Sequence, residues 1–345
     1  MDLRLAFIGF GNVARSFARI LAARGNQLNE EHRLRCITIA IATGSHGSVT
    51  SKDGLDLVAA VALVERGSQL TELPGCQPAA DSLAVVNESR ADVVFETTPL
   101  DINSGEPAIT HIRAALTRGL HVITANKGPI AFAYSELKAL AEHHGGQFRF
   151  EGTVMDGTPI FNLVELCLAG TRVLGFSGVL NSTTNLILTG MEGGQSFQES
   201  LAEAQRRGIA EANADYDVDG WDAAMKTVAL ANVLMNAEAR PAGVERSGIR
   251  DISIKDVEAA AVSGKVIRLV ARADRSGNGV SLVVRPELVS RASVFGSLGG
   301  TSNALVIKTD LMGEIAVVEN DPGVEQTAYA LLSDLISVHK AIHHA

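Results

Sequence analysis

The chain reads as an α/β protein: a Rossmann-type, doubly wound parallel sheet followed by a second, α+β domain. Three observations predict this. Strand-length apolar runs alternate with helix-period segments through the first 150 residues, and a glycine turn joins the first strand to the first helix. Beyond residue 150 the alternation gives way to β-rich pairs around hairpin turns. At 345 residues the chain exceeds one typical core, so two domains are expected. We divide it into a first domain (1–150) and a second (151–322), with the C-terminal segment 323–345 packing back on the first.

Residues 3–8 form a buried strand, after which Val13, Ala14, Phe17, Ala18 and Leu21 recur at helical spacing. The β-branched run 36–42 is the second strand, and further strands fall at 91–97 and 120–124 around a helix at 106–118. A helix at about 132–144 and a short strand at 148–151 complete this half. The second half opens with a helix at 158–169 and a strand at 173–180. Helices follow near 184–191 and 196–207, and a longer one starts near Asp219 as its N-cap. Hairpins turn at 276–279 and near Met312 and Gly313. The last helix, about 323–339, carries Ala328, Leu331, Leu332, Leu335 and Ile336 on one side.

Composition narrows the function. Lys and Arg number 30 against 39 Asp and Glu, a net charge of −9, and only 4% of residues are aromatic, so neither a basic footprint nor a stacking platform for nucleic acid exists. Cys36, Cys76 and Cys167 show no C-x-x-C pairing, which points away from disulfides and zinc and toward a reducing, cytoplasmic compartment. No signal peptide or membrane span is expected: the apolar start breaks at Gly9, and the longest uncharged stretch holds NSTTN (181–185) at its centre.

The string GFGNVA (9–14) has the form G-x-G-x-x-A between a strand and a helix, where glycines allow a tight turn and close approach of a pyrophosphate to the backbone. Gly9, Phe10, Gly11, Asn12 and Val13 are the expected cofactor contacts, aided by the positive end of the helix. A glycine turn chosen for packing alone is the alternative. The second strand ends ATGSHG (42–47) without the acidic residue that holds a ribose 2′-OH, which leaves NADP open, with His46 or Lys52 as candidate phosphate partners. Thr97 and Thr98 close another strand at the same edge and can line the cleft.

In the second half, AEANADYDVDGWDAAMK (210–226) concentrates five carboxylates around one lysine. A calcium-loop reading of Asp215, Asp217 and Asp219 fails, because Lys226 occupies the position that needs a bidentate glutamate. Asp222 and Lys226 share a helix face at i, i+4, either as a surface ion pair or within an acidic pocket that holds a substrate ammonium and keeps Lys226 protonated to act on a carbonyl oxygen.

That segment resembles the signature of the homoserine dehydrogenase family. So do TANKG (124–128), EGTVMDGTPI (151–160), GVLNSTTN (178–185), TDLMGE (309–314) and QTAYALLSDL (326–335), in the family's order and over nearly the whole chain. The resemblance implies a homodimeric NAD(P)-dependent oxidoreductase that interconverts L-homoserine and L-aspartate 4-semialdehyde in threonine and methionine biosynthesis. It implies catalytic roles for Lys226, as proton donor, and Lys127, between nicotinamide and substrate. Glu211, Asp217, Asp222, Thr183 and Ser182 would bind substrate, Lys127 and Gly323 would join the cofactor contacts, and a monovalent cation such as Na+ would sit on backbone oxygens of Glu151, Val154, Asp156 and Thr158. Ser182 stands where glycine is common and Asp156 where a small residue is common. The family's appended regulatory domain has no room before Ala345, so threonine feedback is not expected. Two rival readings are a non-catalytic NAD(P)-sensing regulator and a dehydrogenase of another small amino acid.

Overall fold

A computed structural model describes residues 2–277 and 279–344 and divides into two compact units, 1–159 with 323–345, and 160–322. In the first unit the strands are β1 (Leu3–Ile8), β2 (Cys36–Ala42), β3 (Ser48–Thr50), β4 (Gln77–Pro78), β5 (Val93–Glu96), β6 (His121–Thr124) and β7 (Phe148–Arg149). Their order is β4-β3-β2-β1-β5-β6-β7, parallel from β2 to β7. Strands β3 and β4 add an antiparallel edge. At three and two residues they are too short for period-two patterning to reveal.

Helices α1 (Asn12–His32), α2 (Leu57–Glu65), α3 (Ser82–Glu88), α4 (Ala108–Thr117) and α5 (Lys127–His144) clothe this sheet. Alternation along β1 assigns its faces. Leu5 and Phe7 pack with Phe17, Leu21, Val61 and Phe95, while Ala6 and Ile8 pack with Val85, Ile112 and Leu116. The C-terminal helix Val324–His344 adds Ala328, Leu331, Leu332, Leu335 and Val338 to the first of these cores. Helix α5 starts at Lys127 rather than near 132. Asn126 caps it through Oδ1 and the Gly128 N–H (3.0 Å), and a non-helical Ala133 (φ −143°) breaks the apolar phase between its two parts.

The first unit runs to Pro159 because 151–158 is tied to the C-terminal helix. Buried Asp334 accepts the Glu151 N–H at 2.9 Å, and Thr327 Oγ1 donates to Asp156 Oδ1 at 2.7 Å.

In the second unit, β8 (Val173–Val179), β9 (Glu245–Arg246), β10 (Lys265–Ser276), β11 (Gly279–Ser290), β12 (Asn303–Thr309) and β13 (Glu314–Glu319) form a mixed sheet in the order β13-β12-β8-β10-β11-β9. The hairpins β10–β11 and β12–β13 turn where expected, although Asn278 of the first turn lies outside the described residues. The helices are α6 (Ser182–Glu192), α7 (Phe197–Arg206), α8 (Asp215–Val218), α9 (Trp221–Met235) and α10 (Ile254–Val262); α6, α9 and α10 lie against the sheet. The helix expected at 158–169 is reduced to a π-helical turn at Leu163–Cys167 preceded by residues 161–162. Asp219 is not the N-cap of α9. Gly220, at φ +81°, takes that place and turns the chain out of α8, while Asp219 pairs with Arg250.

Candidate functional site

The first unit carries a cleft of about 1070 Å³ at the carboxyl edge of its sheet, where the strand order reverses beside β1. Gly9, Phe10, Gly11, Thr97 and Thr98 line it together, with Thr43 to Ser48 along one side and Ser82 and His111 along another. Gly9 is obligatory. It sits at φ +86°, and a Cβ there would lie 2.6 Å from the Thr97 carbonyl carbon and oxygen. Gly11 has open space where its Cβ would be, and it begins α1 without a side-chain cap or an acidic residue in the first turn. Such a helix start presents N–H donors and a positive dipole to an anion. Asn12 and Val13 supply that first turn.

Of the two candidates for a 2′-phosphate, His46 lines the cleft, with Nδ1 2.9 Å from the Ser68 carbonyl, whereas exposed Lys52 is not among the lining residues. Arg15 also lines the cleft, but its guanidinium donates to the Phe10 carbonyl (3.0 Å) and Asn12 Oδ1 (2.7 Å).

Lys127 opens α5 on a loop held at several points. Thr124 Oγ1 donates to the Glu96 carbonyl at 2.8 Å and accepts the Asn126 N–H at 2.9 Å, while Asn126 Nδ2 reaches the Thr98 carbonyl at 3.1 Å. Neither Lys127 nor Gly323 is among the residues lining the cleft; Gly323 immediately precedes the C-terminal helix.

Glu151, Val154, Asp156 and Thr158 share one tight loop in which Glu151 and Val154 are buried and Asp156 adopts φ +44°. Glycine takes that conformation cheaply and aspartate tolerates it, which accounts for the departure noted at this position. With the Asp156 carboxylate engaged by Thr327, the oxygens this loop offers are chiefly backbone carbonyls. Among the described residues no group of three or more His, Cys, Asp or Glu could hold a metal ion.

In the second unit a polar cluster forms where α6 begins and α9 passes. Lys226 Nζ donates to the Leu180 carbonyl at 2.7 Å and lies 3.2 Å from Asp222 Oδ2, with both side chains largely buried. Asn181 caps α6 through Oδ1 and the Thr184 N–H (2.8 Å). Its amide then donates both protons, to Asp217 Oδ1 at 2.7 Å and Asp222 Oδ2 at 2.9 Å. Burial, then the neighbouring Asp222 charge, push the Asp217 carboxyl above the usual aspartate range, against the opposing pull of Asn181, Thr183 and Lys226. Asp217 and Asp222 thus stand as neighbouring, largely buried carboxyl groups bridged by the Asn181 amide beside the Lys226 ammonium. Thr183 is buried beside it, and Ser182 Oγ accepts from Asn303 Nδ2 at 3.0 Å.

The five carboxylates do not form one pocket. Asp217 and Asp222 gather with Lys226, Asp215 and Asp219 turn to Arg250 at 2.5 and 2.9 Å, and Glu211 is exposed. A four-residue helix explains the split, since α8 sends alternate side chains to opposite sides. Asn181 was not anticipated as a site residue, although an amide between two acids has the two N–H donors needed to reach both. Tyr216 was also missed. Its hydroxyl is buried without a hydrogen-bond partner, and burial together with Asp222 and Asp217 raises its pKa.

Comparison with known proteins matches residues 9–151 to the family model described as homoserine dehydrogenase, NAD binding domain, and residues 159–336 to the one described as homoserine dehydrogenase. Among curated proteins, an NAD(+)-dependent homoserine dehydrogenase of Pseudomonas canavaninivorans is 38% identical over 99% of this chain and 97% of its own. A homoserine dehydrogenase of Methanocaldococcus jannaschii is 36% identical over 98% of each. Among solved structures, a homoserine dehydrogenase from Thiobacillus denitrificans superposes with a TM-score of 0.84 at 28% identity, over 100% of this chain and 74% of that one.

Proposed function

Because this chain belongs to the homoserine dehydrogenase family, we propose specific roles for its residues in one reaction, the NAD(P)-dependent interconversion of L-homoserine and L-aspartate 4-semialdehyde. The bound nicotinamide coenzyme supplies or accepts the hydride at the substrate's terminal carbon. Lys226 gives a proton to the aldehyde oxygen in the reductive direction and takes it back in the oxidative one. Asp217 and Asp222 receive the substrate ammonium, with Glu211, Thr183 and Ser182 completing the substrate contacts. Lys127 acts beside the nicotinamide, and Gly9 to Val13, Thr97, Thr98 and Gly323 hold the coenzyme. One observation carries this reading: a largely buried ammonium, Lys226, is set on the Leu180 carbonyl and Asp222, whose neighbour Asp217 shares the Asn181 amide with it. A nucleotide sensor has no use for such a cluster.

NAD is the preferred coenzyme in this proposal, because no lysine is among the residues lining the cleft and its arginine is already engaged. The loop 151–158 holds a monovalent cation on the backbone oxygens of Glu151, Val154, Asp156 and Thr158. The division of labour follows the units, coenzyme on the first and catalysis with homodimer formation on the second. No helix among the described residues is long and apolar enough to cross a membrane, and with three free cysteines we place the enzyme in the cytoplasm. The test is oxidation of homoserine by purified protein with NAD and NADP in parallel, together with the molar mass in solution. Turnover with NAD, faster than with NADP, is expected from a particle of two chains. Coenzyme binding without turnover would favour a sensor.

A further inference from the structure

Glu96 ends β5 with none of its surface exposed, a costly position for a carboxyl group, and the chemistry above gives it no task. Its surroundings are specific. Oε1 accepts the Thr98 backbone N–H at 3.3 Å and a short hydrogen bond from the Thr98 hydroxyl, and Oε2 lies 3.4 Å from Thr124 Oγ1. His111, itself buried, closes the remaining side, with Nδ1 3.6 Å from Oε1 and Nε2 2.8 Å from Ser82 Oγ.

The consequence lies at Thr98, which lines the nucleotide cleft. A hydroxyl has one proton and two lone pairs. An oxygen that already accepts a backbone N–H receives the Thr98 proton as well, so Thr98 Oγ1 meets the cleft with lone pairs alone. Thr97 behaves alike, since its hydroxyl donates to the Gly9 carbonyl at 3.0 Å. The cleft thus has two stretches of opposite polarity, N–H donors where α1 begins and acceptors at the end of β5. Phosphate oxygens only accept, so they match the first stretch and are unmatched at the second.

We infer that Glu96 is a positioning residue: with its carboxyl oxygen behind the Thr98 hydroxyl, it fixes Thr98 as an acceptor for an O–H or N–H donor of the coenzyme and keeps phosphate from that part of the cleft. The donor is a ribose hydroxyl or the carboxamide, the two groups of a nicotinamide nucleotide that carry such protons beyond the adenine. This rests on the cleft being the coenzyme site.

Binding of NADH and of ADP-ribose to the full chain tests it by calorimetry, in the wild type, Thr98→Val, Thr98→Ser, Glu96→Met and the Glu96→Met/Thr98→Val double variant, with melting temperatures measured alongside. Thr98→Val and Glu96→Met, which removes the acceptor behind the hydroxyl at similar volume, should each weaken NADH about tenfold, as expected for one lost hydrogen bond to a ligand, while Thr98→Ser retains affinity. The double variant should bind no more weakly than Thr98→Val, because Glu96 acts through that hydroxyl. A parallel loss for ADP-ribose identifies a ribose hydroxyl as the donor, and a loss confined to NADH identifies the carboxamide; both support the inference. Wild-type affinity in Thr98→Val or in Glu96→Met overturns it, as does a Glu96→Met defect that persists undiminished without the hydroxyl and so comes from the fold. If the wild type itself binds neither ligand, the coenzyme reading of the cleft fails instead.

Discussion

Replacing Lys226 with methionine keeps most of the side chain's volume and removes its charge. The ammonium lies 3.2 Å from Asp222 Oδ2, an attraction of about 5 kcal/mol at an effective dielectric constant of roughly 20. Without it the Asp217–Asp222 pair, bridged by the Asn181 amide, loses a neighbouring cation and takes up a proton more readily. Two effects then separate in the kinetics. Loss of the proton donor lowers kcat by about 10²–10⁴-fold in either direction. The substrate ammonium meets a carboxyl pair freed of one competing cation but more readily protonated, two opposing effects, so KM for homoserine stays near wild type, which marks a group used chiefly in the transition state. Dissociation constants for NAD, followed by calorimetry, should stay within about twofold of wild type, since the nucleotide cleft is built from the first unit alone. Lys226→Arg should not restore turnover, because a guanidinium does not release its proton. Activity of Lys226→Met within about tenfold of wild type would refute this reasoning.

Other perturbations have equally defined outcomes. Gly9→Ala places a methyl group 2.6 Å from the Thr97 backbone at φ +86°, so it should cost about 1–3 kcal/mol locally and abolish measurable NADH binding while far-UV circular dichroism stays native. Asp217 carries a carboxyl raised by burial and then by Asp222, so the stability it contributes is present below the ordinary aspartate range and lost as pH climbs through its folded value. Asp217→Asn should therefore raise Tm at neutral pH by about 2 °C, seen by scanning calorimetry, while weakening homoserine binding. Burial, with a smaller contribution from Asp2, pushes the Cys36 thiol up to about 12, so a thiol reagent at mildly alkaline pH should label exposed Cys167 first and Cys36 last, as peptide mass spectrometry would record. Exchanging sodium and potassium for tetramethylammonium should lower Tm in the wild type, with a smaller effect once the 151–158 loop is altered by Thr158→Pro.

What the sequence made legible and what it did not follow one physical divide. Strand β1, the glycine turn and the apolar face of α1 depend on residues within a few positions of each other, so periodicity exposes them. Helix α2 reads LVAAVALVE, apolar almost throughout, and offers no stripe to mark its phase. Lys127 lies within a legible motif, yet its place as the first residue of α5 depends on the Asn126 cap and on a kink at Ala133, which hid the helix's true start. Clustered acids in 211–222 announced a charged site, but counting them could not tell which would face Lys226. Arg250, distant in sequence, draws Asp215 and Asp219 away, and Asn181, from another helix, gathers Asp217 and Asp222. Glu96 left a trace, an acid closing an apolar strand directly before two threonines, but its meaning required His111 and Thr124 to be folded around it.

In the proposed reaction the reacting hydrogen leaves the terminal carbon of homoserine as hydride while protein groups handle the hydroxyl proton. Homoserine deuterated at that carbon, oxidised by the purified protein, should yield reduced nicotinamide carrying one deuterium per turnover by mass spectrometry, and Lys226→Met should do so far more slowly with the same label. Reduced coenzyme free of deuterium, or no reduced coenzyme from a protein that binds NAD, would contradict it.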